Sequence, residues 1–286
     1  MSTPVRTVPE PFHFDREQLA ALAESKREAY ASASPFPHIA IDELLPDDVL
    51  ARVLAEFPEP KQAEWQTFDS ANERKLASKD DSTMGEATRQ LLAELNSAAF
   101  IDFLERLTGI AGLVPDPHFV GGGLHQIERG GHLKVHADFN RHPGTGLERR
   151  LNVLLYLNPD WEPEFGGAFE LWNRDMTASE AKILPLFNRC VVFTTTDTSF
   201  HGHPEPLTCP EGRTRKSIAL YYYSKDRPAG QGAGEHSTLF QARPGEELAT
   251  PEVNRNRKLG ARLKAAVRQV TPPILLNAVR RRRHRT

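Results

Sequence analysis

The stretch HLKVHADF, residues 132–139, belongs to the series of short β-type segments that decides the predicted fold. On a β-strand, side chains two positions apart project from the same face. His136 and Asp138 are therefore expected to point in one direction and to converge on one ion. They offer an imidazole and a carboxylate, which are ligand types that suit iron(II).

Similar segments lie on both sides of this one, and each is bounded by turn residues. They read HFVGGGLHQIE (118–128), RRLNVLLYLN (149–158), GGAFELWN (166–173), RCVVFTTT (189–196) and RKSIALYYYS (215–224). A series of this kind predicts a β-sandwich or barrel. Gly166 and Gly167 are expected to form a hairpin turn rather than a phosphate loop, since no GKS/T sequence follows them.

The first third of the chain is predicted to be mostly helical, with one short strand, HIAIDELL, at 38–45. A polar, Gly-rich stretch after Tyr223 marks a boundary, and a C-terminal helix is expected beyond it. We therefore divide the chain into three parts. They are a helical and strand-containing flank packed on the core (1–110), a β-rich core (111–230), and a linker with a C-terminal helix and a basic tail (231–286).

The composition is that of a globular protein able to bury a real core, with 39% hydrophobic and 26% charged residues among 286. The sequence shows no signal segment and no run of about 18 apolar residues. We therefore expect a cytoplasmic protein without a transmembrane segment. Only two cysteines occur, Cys190 and Cys209, which argues against a secreted disulfide framework.

The charges are distributed unevenly. Residues 252–286 contain eleven Lys and Arg against one Glu, which leaves 25 Lys and Arg against 37 Asp and Glu in the rest of the chain. This asymmetry predicts that the basic C-terminal tail contacts an anionic partner, with a solvated charge run as the alternative.

A facial triad of two histidines and one carboxylate needs a second imidazole, and it leaves three metal positions open. The segment TSFHGHPEPL (198–207) offers His201 and, two residues later, His203. A later β segment opens with Arg215 and Lys216, as required if a cation is to bind a dicarboxylate beside the metal. Strand alternation lets only one of these two cations point inward.

Taken together, HADF, SFHGHPEP and RKSIALYYY resemble the prolyl 4-hydroxylase-like branch of the 2-oxoglutarate/iron(II) oxygenases, over about residues 120–225. The resemblance implies a double-stranded β-helix, a jelly roll of roughly eight core strands with helical flanks. It also implies that iron is bound by His136, Asp138 and His201. It implies that Arg215 binds the distal carboxylate of 2-oxoglutarate. The resemblance thus favours His201 over His203 as the second histidine ligand, and Arg215 over Lys216 as the cation.

The same resemblance adds two contacts to the cosubstrate. Tyr156, in YLNPDWEPEFGG, matches a family tyrosine whose hydroxyl contacts the distal carboxylate. Gln126 stands ten residues before His136, where some relatives have a tyrosine, and its amide is able to hydrogen-bond the cosubstrate. His132 and His142 are candidates for the substrate entrance, with a purely structural role as the alternative.

The implied function is hydroxylation of an unactivated C–H bond with Fe(II) and 2-oxoglutarate, releasing succinate and CO2. L-ascorbate is a further candidate cofactor. The first candidate substrate is a prolyl residue of a peptide or protein, and the alternative is a small molecule or a glycan precursor. Two rivals are a non-catalytic jelly-roll binding module and a zinc hydrolase. The complete ligand set argues against the first, and the second leaves Arg215 without a role.

Overall fold

The computed structural model describes residues 12–227 and 234–248. Contacts divide the chain into two compact units, 1–246 and 247–286, and all the elements named here lie in the first. The helices are α1 (Arg16–Ser32), α2 (Asp47–Ala55), α3 (Glu86–Leu95) and α4 (Ala98–Thr108). The strands are β1 (His38–Asp42), β2 (Gln66–Asp69), β3 (Glu73–Ala77), β4 (Val114–Pro115), β5 (Gly123–Glu128), β6 (His132–Ala137), β7 (Glu148–Tyr156), β8 (Phe169–Trp172), β9 (Ser179–Ile183), β10 (Arg189–Thr194), β11 (His201–His203), β12 (Thr214–Ser224) and β13 (Leu239–Phe240).

The strands form one antiparallel sheet in the order β1-β10-β7-β12-β5-β3-β6-β11-β8-β9, with β2, β4 and β13 paired to β3, β12 and β6. Strands distant in sequence are therefore neighbours in space. The prediction of a β-rich core with helical flanks is confirmed.

The helices begin and pack as their sequences indicate. The side chain of Asp15 caps α1 by accepting a hydrogen bond from the Gln18 amide at 2.9 Å. Helix α1 packs against α4, whose apolar residues at helical spacing are buried. The Tyr222 hydroxyl donates to the Leu95 carbonyl at 2.7 Å, so the outer face of β12 rests on the helical layer.

Strand β12 separates this helical layer from an internal pocket. Ile218, Leu220 and Tyr222 belong to the core that includes the helices. The alternate residues, among them Arg215 and Tyr221, line the pocket. The period of two along a strand thus decides which side chains of β12 reach the pocket.

The structure differs from the sequence-based prediction in several features, two of which concern the strands and their connections. Strands β2 and β3 were not predicted, because they are short and carry several charged, partly exposed residues; β3 nevertheless lies between β5 and β6. The hairpin predicted at Gly166 and Gly167 is wrong, since β7 and β8 do not pair. Both glycines have positive φ, 73° and 72°, in the connection between these strands.

Near the end of the described chain, β13 pairs with the strand that carries the candidate metal ligands, with Leu239 opposite Ala137 and Phe240 opposite His136. The predicted C-terminal helix and the basic tail lie outside the described residues. The division into 1–110, 111–230 and 231–286 stays a prediction. No helix within residues 12–227 and 234–248 is both long and apolar enough to cross a membrane.

Candidate metal centre and adjoining cationic pocket

The structure brings His136, Asp138 and His201 together. Strands β6 and β11 are paired with His136 opposite His201, and Asp138 follows the end of β6. One ligand atom from each residue lies within 4.8 Å of the others. The Asp138 carboxylate is 3.6 Å from His136 Nε2 and 3.4 Å from His201 Nε2. The two imidazoles and the carboxylate can therefore face one ion.

Backbone carbonyls fix the orientation of both imidazoles. The Nδ1 atom of His136 is 2.8 Å from the Lys134 carbonyl, and that of His201 is 2.8 Å from the Ser199 carbonyl. A carbonyl only accepts, so Nδ1 carries the proton in both rings. Each Nε2 is left with a lone pair that points toward the centre, as a metal ligand requires.

The carboxylate of Asp138 is held by β7. Arg149 Nη2 donates to its Oδ2 at 3.0 Å, and Asn152 Nδ2 donates to the same oxygen at 2.7 Å. The Arg149 guanidinium lies 4.4 Å from the ring centroid of Phe139 and 3.4 Å from that of Tyr221. These contacts fix one oxygen of Asp138 and leave the other for a metal.

The protonation states suit a cation. Burial alone would raise the pKa of Asp138, but the charges of Arg149 and His201 hold it well below its usual range. Burial, followed by repulsion from His201, lowers the pKa of His136. Metal binding needs an ionised carboxylate and neutral imidazoles. The donor set fits iron(II) in its chemistry, and the lowered pKa values of Asp138 and His136 are in the direction that metal binding needs.

His203 is not part of this ligand group, and no second group of His, Cys, Asp or Glu among the described residues meets the same geometric condition. The pairing of β11 with β6 shifts register between His201 and His203, and both side chains line the pocket. Both ring nitrogens of His203 are buried, and neither has a hydrogen-bond partner in residues 12–227 and 234–248. Burial, followed by the charges of Arg215 and Lys75, holds the pKa of His203 well below its usual range.

Arg215 lies in the same pocket as the three candidate ligands. Its Nε donates to the Gly167 carbonyl at 2.8 Å, and its Nη2 donates to the Tyr156 hydroxyl at 3.2 Å. Arg215 is buried, and it has no carboxylate partner within the described part of the chain. Burial lowers the pKa of Arg215 and raises that of Tyr156. A buried cation without a counter-ion is costly, so this position favours an anionic ligand.

Lys216 is on the other face of β12. Its Nζ donates to Thr214 Oγ1 at 2.8 Å and lies 5.8 Å from the ring centroid of Phe57. Its backbone amide donates to Asn158 Oδ1 at 2.6 Å. The structure thus places Arg215, and not Lys216, beside the candidate metal ligands.

Gln126, predicted to contact the cosubstrate, is not brought to the pocket. Its Oε1 accepts from Thr214 Oγ1 at 2.7 Å, and its Nε2 donates to the Pro58 carbonyl at 3.1 Å. Both ends of the amide are therefore engaged on the outer face of β5. The inner face of β5 presents His125 and Ile127 to the pocket. The prediction therefore chose the wrong face of this strand, since Gln126 lies between these two residues.

The two flanking histidines have local structural contacts and do not line the pocket. His132 Nε2 lies 3.2 Å from the Ala71 carbonyl. His142 Nδ1 accepts from the amides of Gly144 and Thr145 at 3.1 Å, and its Nε2 lies 3.5 Å from an oxygen of Asp116. The contacts of His132 and His142 therefore fit a purely structural role, which was the alternative to a place at the substrate entrance.

The sequence analysis missed the residues that hold Asp138. Asn152 and Leu154 both line the pocket. Side chains two positions apart on a strand share a face, so Asn152, Leu154 and Tyr156 are expected on one face of β7, and this alternation could have identified Asn152. Strand alternation does not identify Arg149, because the pairing of β7 with β12 shifts register next to this residue.

Comparisons with known proteins agree with this geometry. Residues 122–223 match the model of the family described as the 2OG-Fe(II) oxygenase superfamily. A prolyl 3,4-dihydroxylase OGFOD1 of Ostreococcus tauri is 26% identical over 249 residues, which are 81% of this chain and 46% of that protein. A prolyl 3-hydroxylase OGFOD1 of Mus musculus is 33% identical over 79 residues, which are 26% of this chain and 14% of that protein. The matched part thus spans less than half the length of these curated relatives.

The fold is also that of a solved relative. The crystal structure of a Pseudomonas putida prolyl-4-hydroxylase superposes with a TM-score of 0.51 at 20% identity, covering 73% of this chain and all of the other. This likeness confirms the predicted double-stranded β-helix. Residues 122–223 therefore match the 2OG-Fe(II) oxygenase superfamily and lie in a chain with the fold of a solved prolyl-4-hydroxylase.

Proposed function

We propose that the chain is an Fe(II)- and 2-oxoglutarate-dependent dioxygenase that hydroxylates an unactivated C–H bond. The observation that carries this proposal is that the His136, Asp138 and His201 group shares one pocket with the buried Arg215, which lacks a counter-ion in the described chain. When bound there, iron(II) would supply the redox chemistry in which dioxygen and oxoglutarate yield succinate, CO2 and a hydroxylated product.

The side chains of the pocket have distinct roles in this proposal. His136, Asp138 and His201 hold the metal through two imidazole nitrogens and a carboxylate oxygen. Arg215 and Tyr156 bind the distal carboxylate of oxoglutarate by charge-assisted hydrogen bonds. Apolar residues of the pocket wall limit the access of water to the reacting groups; they include Leu133, Leu154, Phe169 and Phe193.

For the substrate, we propose a prolyl residue of a peptide or protein. The curated relatives that match are named prolyl hydroxylases, and this supports the choice. A small molecule or a glycan precursor is the alternative. L-ascorbate as an additional cofactor, a cytoplasmic location and an anionic partner for the basic tail are further proposals that rest on the sequence alone.

A zinc hydrolase is the rival from another class, because two histidines and a carboxylate also bind zinc. The buried guanidinium of Arg215, which has no counter-ion among the described residues, favours the oxygenase, since a hydrolase using the same three ligands does not need this cation.

Turnover tests the proposal. We would incubate the purified chain with Fe(II), 2-oxoglutarate and air, with and without proline-containing peptides, and measure succinate and the mass of each peptide. We expect succinate that depends on Fe(II) and dioxygen, and a peptide heavier by one oxygen atom. The His136→Ala variant is the matched control and should form none. Succinate formation without peptide modification would retain the oxygenase and redirect the search to small substrates, whereas oxoglutarate-independent hydrolysis in the presence of zinc would overturn the proposal.

A further inference from the structure

One histidine in the pocket lacks the partners that the other pocket histidines have. The Nδ1 atoms of His136 and His201 each meet a backbone carbonyl at 2.8 Å. Within the part of the chain that the structure describes, His203 has no hydrogen bond at either ring nitrogen, although its exposed fraction is 3% and both nitrogens are buried. Buried polar atoms are nearly always paired, so two unpaired nitrogens on one imidazole require an explanation.

His203 shares one pocket with both parts of the site. Its side chain lines the pocket together with the candidate metal ligands and Arg215. His125 lines the same pocket, and its Nε2 is likewise buried without a hydrogen-bond partner among the described residues. A ligand that joins the metal to Arg215 would therefore bind in a pocket lined by His203.

His203 has the wrong position for a fourth metal ligand of the observed group, because the atoms that lie within 4.8 Å of one another come from His136, Asp138 and His201. No protein group among the described residues pairs with its ring nitrogens. The remaining partners are water and a ligand bound in the pocket, and a ligand with acceptor oxygens suits the imidazole N–H.

We propose that His203 is a cosubstrate-binding residue that donates a hydrogen bond to an oxygen atom of 2-oxoglutarate between the metal ligands and Arg215. This inference rests on the proposed function. A neutral imidazole donates from one nitrogen and accepts at the other, so the second nitrogen of His203 accepts from water or from the bound substrate. His203 then adds a neutral contact to the ionic one made by Arg215, which helps the pocket to distinguish oxoglutarate from ligands with fewer oxygens.

The test measures binding rather than turnover. We would titrate the Mn(II)-loaded protein with 2-oxoglutarate by calorimetry, and compare the wild type with His203→Leu and His203→Gln. The leucine variant removes both nitrogens, and the Kd for oxoglutarate should rise about tenfold or more, which corresponds to about 1.4 kcal/mol. The glutamine variant retains a donor and an acceptor, and its Kd should stay within about threefold of the wild type.

Two controls make the outcomes distinct. The Mn(II) affinity should be unchanged in both variants, and His118→Ala, which alters an exposed histidine outside the pocket, should bind oxoglutarate as the wild type does. His203→Met replaces the leucine variant if thermal unfolding shows that the latter is misfolded.

Each result decides a different point. An unchanged oxoglutarate Kd in folded His203→Leu or His203→Met overturns the role of His203 and leaves the oxygenase proposal standing. Loss of Mn(II) binding in these variants would make His203 a metal ligand and also overturn the inference. A wild-type protein that binds Mn(II) but no oxoglutarate would overturn both proposals.

Discussion

Arg149 Nη2 lies 3.0 Å from Asp138 Oδ2 and joins the candidate metal carboxylate to strand β7. The guanidinium is 1% exposed and is flanked by the rings of Phe139 and Tyr221. Asn152 donates to the same oxygen at 2.7 Å. The orientation of Asp138 is therefore set by contacts outside its own strand, before any metal binds.

The first prediction is that Arg149→Met weakens Mn(II) or Fe(II) binding by about 10- to 100-fold, because Asp138 loses the donor that orients it. Competition with a fluorescent chelator measures the affinity. Arg150→Met is the matched control, since Arg150 donates to Ser224 and to the Asp226 carbonyl and has no contact with a metal ligand. Equal losses in the two variants would show that general destabilisation is the cause.

The second prediction separates two metal ligands in the metal-free protein. Asp138→Ala leaves the buried charge of Arg149 without its partner, which is expected to lower the free energy of unfolding by about 3 to 5 kcal/mol. His136→Ala removes a neutral imidazole and should cost clearly less. Both variants should lose metal binding. Urea unfolding with a chelator present tests this, and similar losses of stability would contradict the importance of the Arg149–Asp138 pair.

The third prediction concerns Arg215. Replacing it with alanine removes charge-assisted hydrogen bonds worth on the order of 1.5 to 3 kcal/mol each, so the Kd for oxoglutarate should rise by roughly one to two orders of magnitude. Metal binding should be retained. Lys216→Ala is the control, since Lys216 lies on the opposite face of β12. Anaerobic titration of the Fe(II) protein compares them, and a larger effect from Lys216→Ala would contradict the observed register.

The fourth prediction follows from Glu246, which contacts Lys134 on β6 and accepts from Arg243 Nε at 3.0 Å. Burial opposes ionisation, but these two cations lower the pKa of Glu246 to about 2 from its usual 4.5. A carboxyl group whose pKa is lower in the folded state than in the unfolded state stabilises the protein at pH values above the unfolded-state pKa. This contribution is lost as the pH falls from 4.5 toward 2.

Glu246→Gln should therefore destabilise the protein at pH 7 and flatten the pH dependence of its unfolding midpoint below pH 5. Glu247→Gln, at an exposed neighbour, is the control and should follow the wild type. If the unfolding midpoint of Glu246→Gln fell below pH 5 as steeply as that of the wild type, the ion pairs of Glu246 would contribute nothing to stability.

Much of the site was predictable because it depends on strand alternation. The shared direction of His136 on β6 and Asp138 just after it needs only a period of two, and the same rule separates Arg215 from Lys216 on β12. His201 was chosen as a ligand from the family resemblance, but its pairing opposite His136 was not predicted, since β11 is only three residues long and no local pattern fixes its partner.

The rest depends on irregularities that a sequence period does not reveal. Gln126 was chosen by counting ten residues back from His136, but β5 and β6 are not paired with each other, and β3 lies between them. The register of β5 is set by its pairing with β12 and places His125 inward. Arg149 reaches Asp138 beside a register shift in β7. Neither case could be predicted without knowing which strands are neighbours.

The most direct test of the central claim is the visible absorption of the anaerobic Fe(II) protein as 2-oxoglutarate is added. If His136, Asp138 and His201 hold the iron beside Arg215, oxoglutarate should bind at the metal and produce a charge-transfer band. The band should be absent in His136→Ala and should require higher oxoglutarate concentrations in Arg215→Ala. A wild-type protein that binds Fe(II) but develops no band at saturating oxoglutarate would contradict the assignment of this pocket.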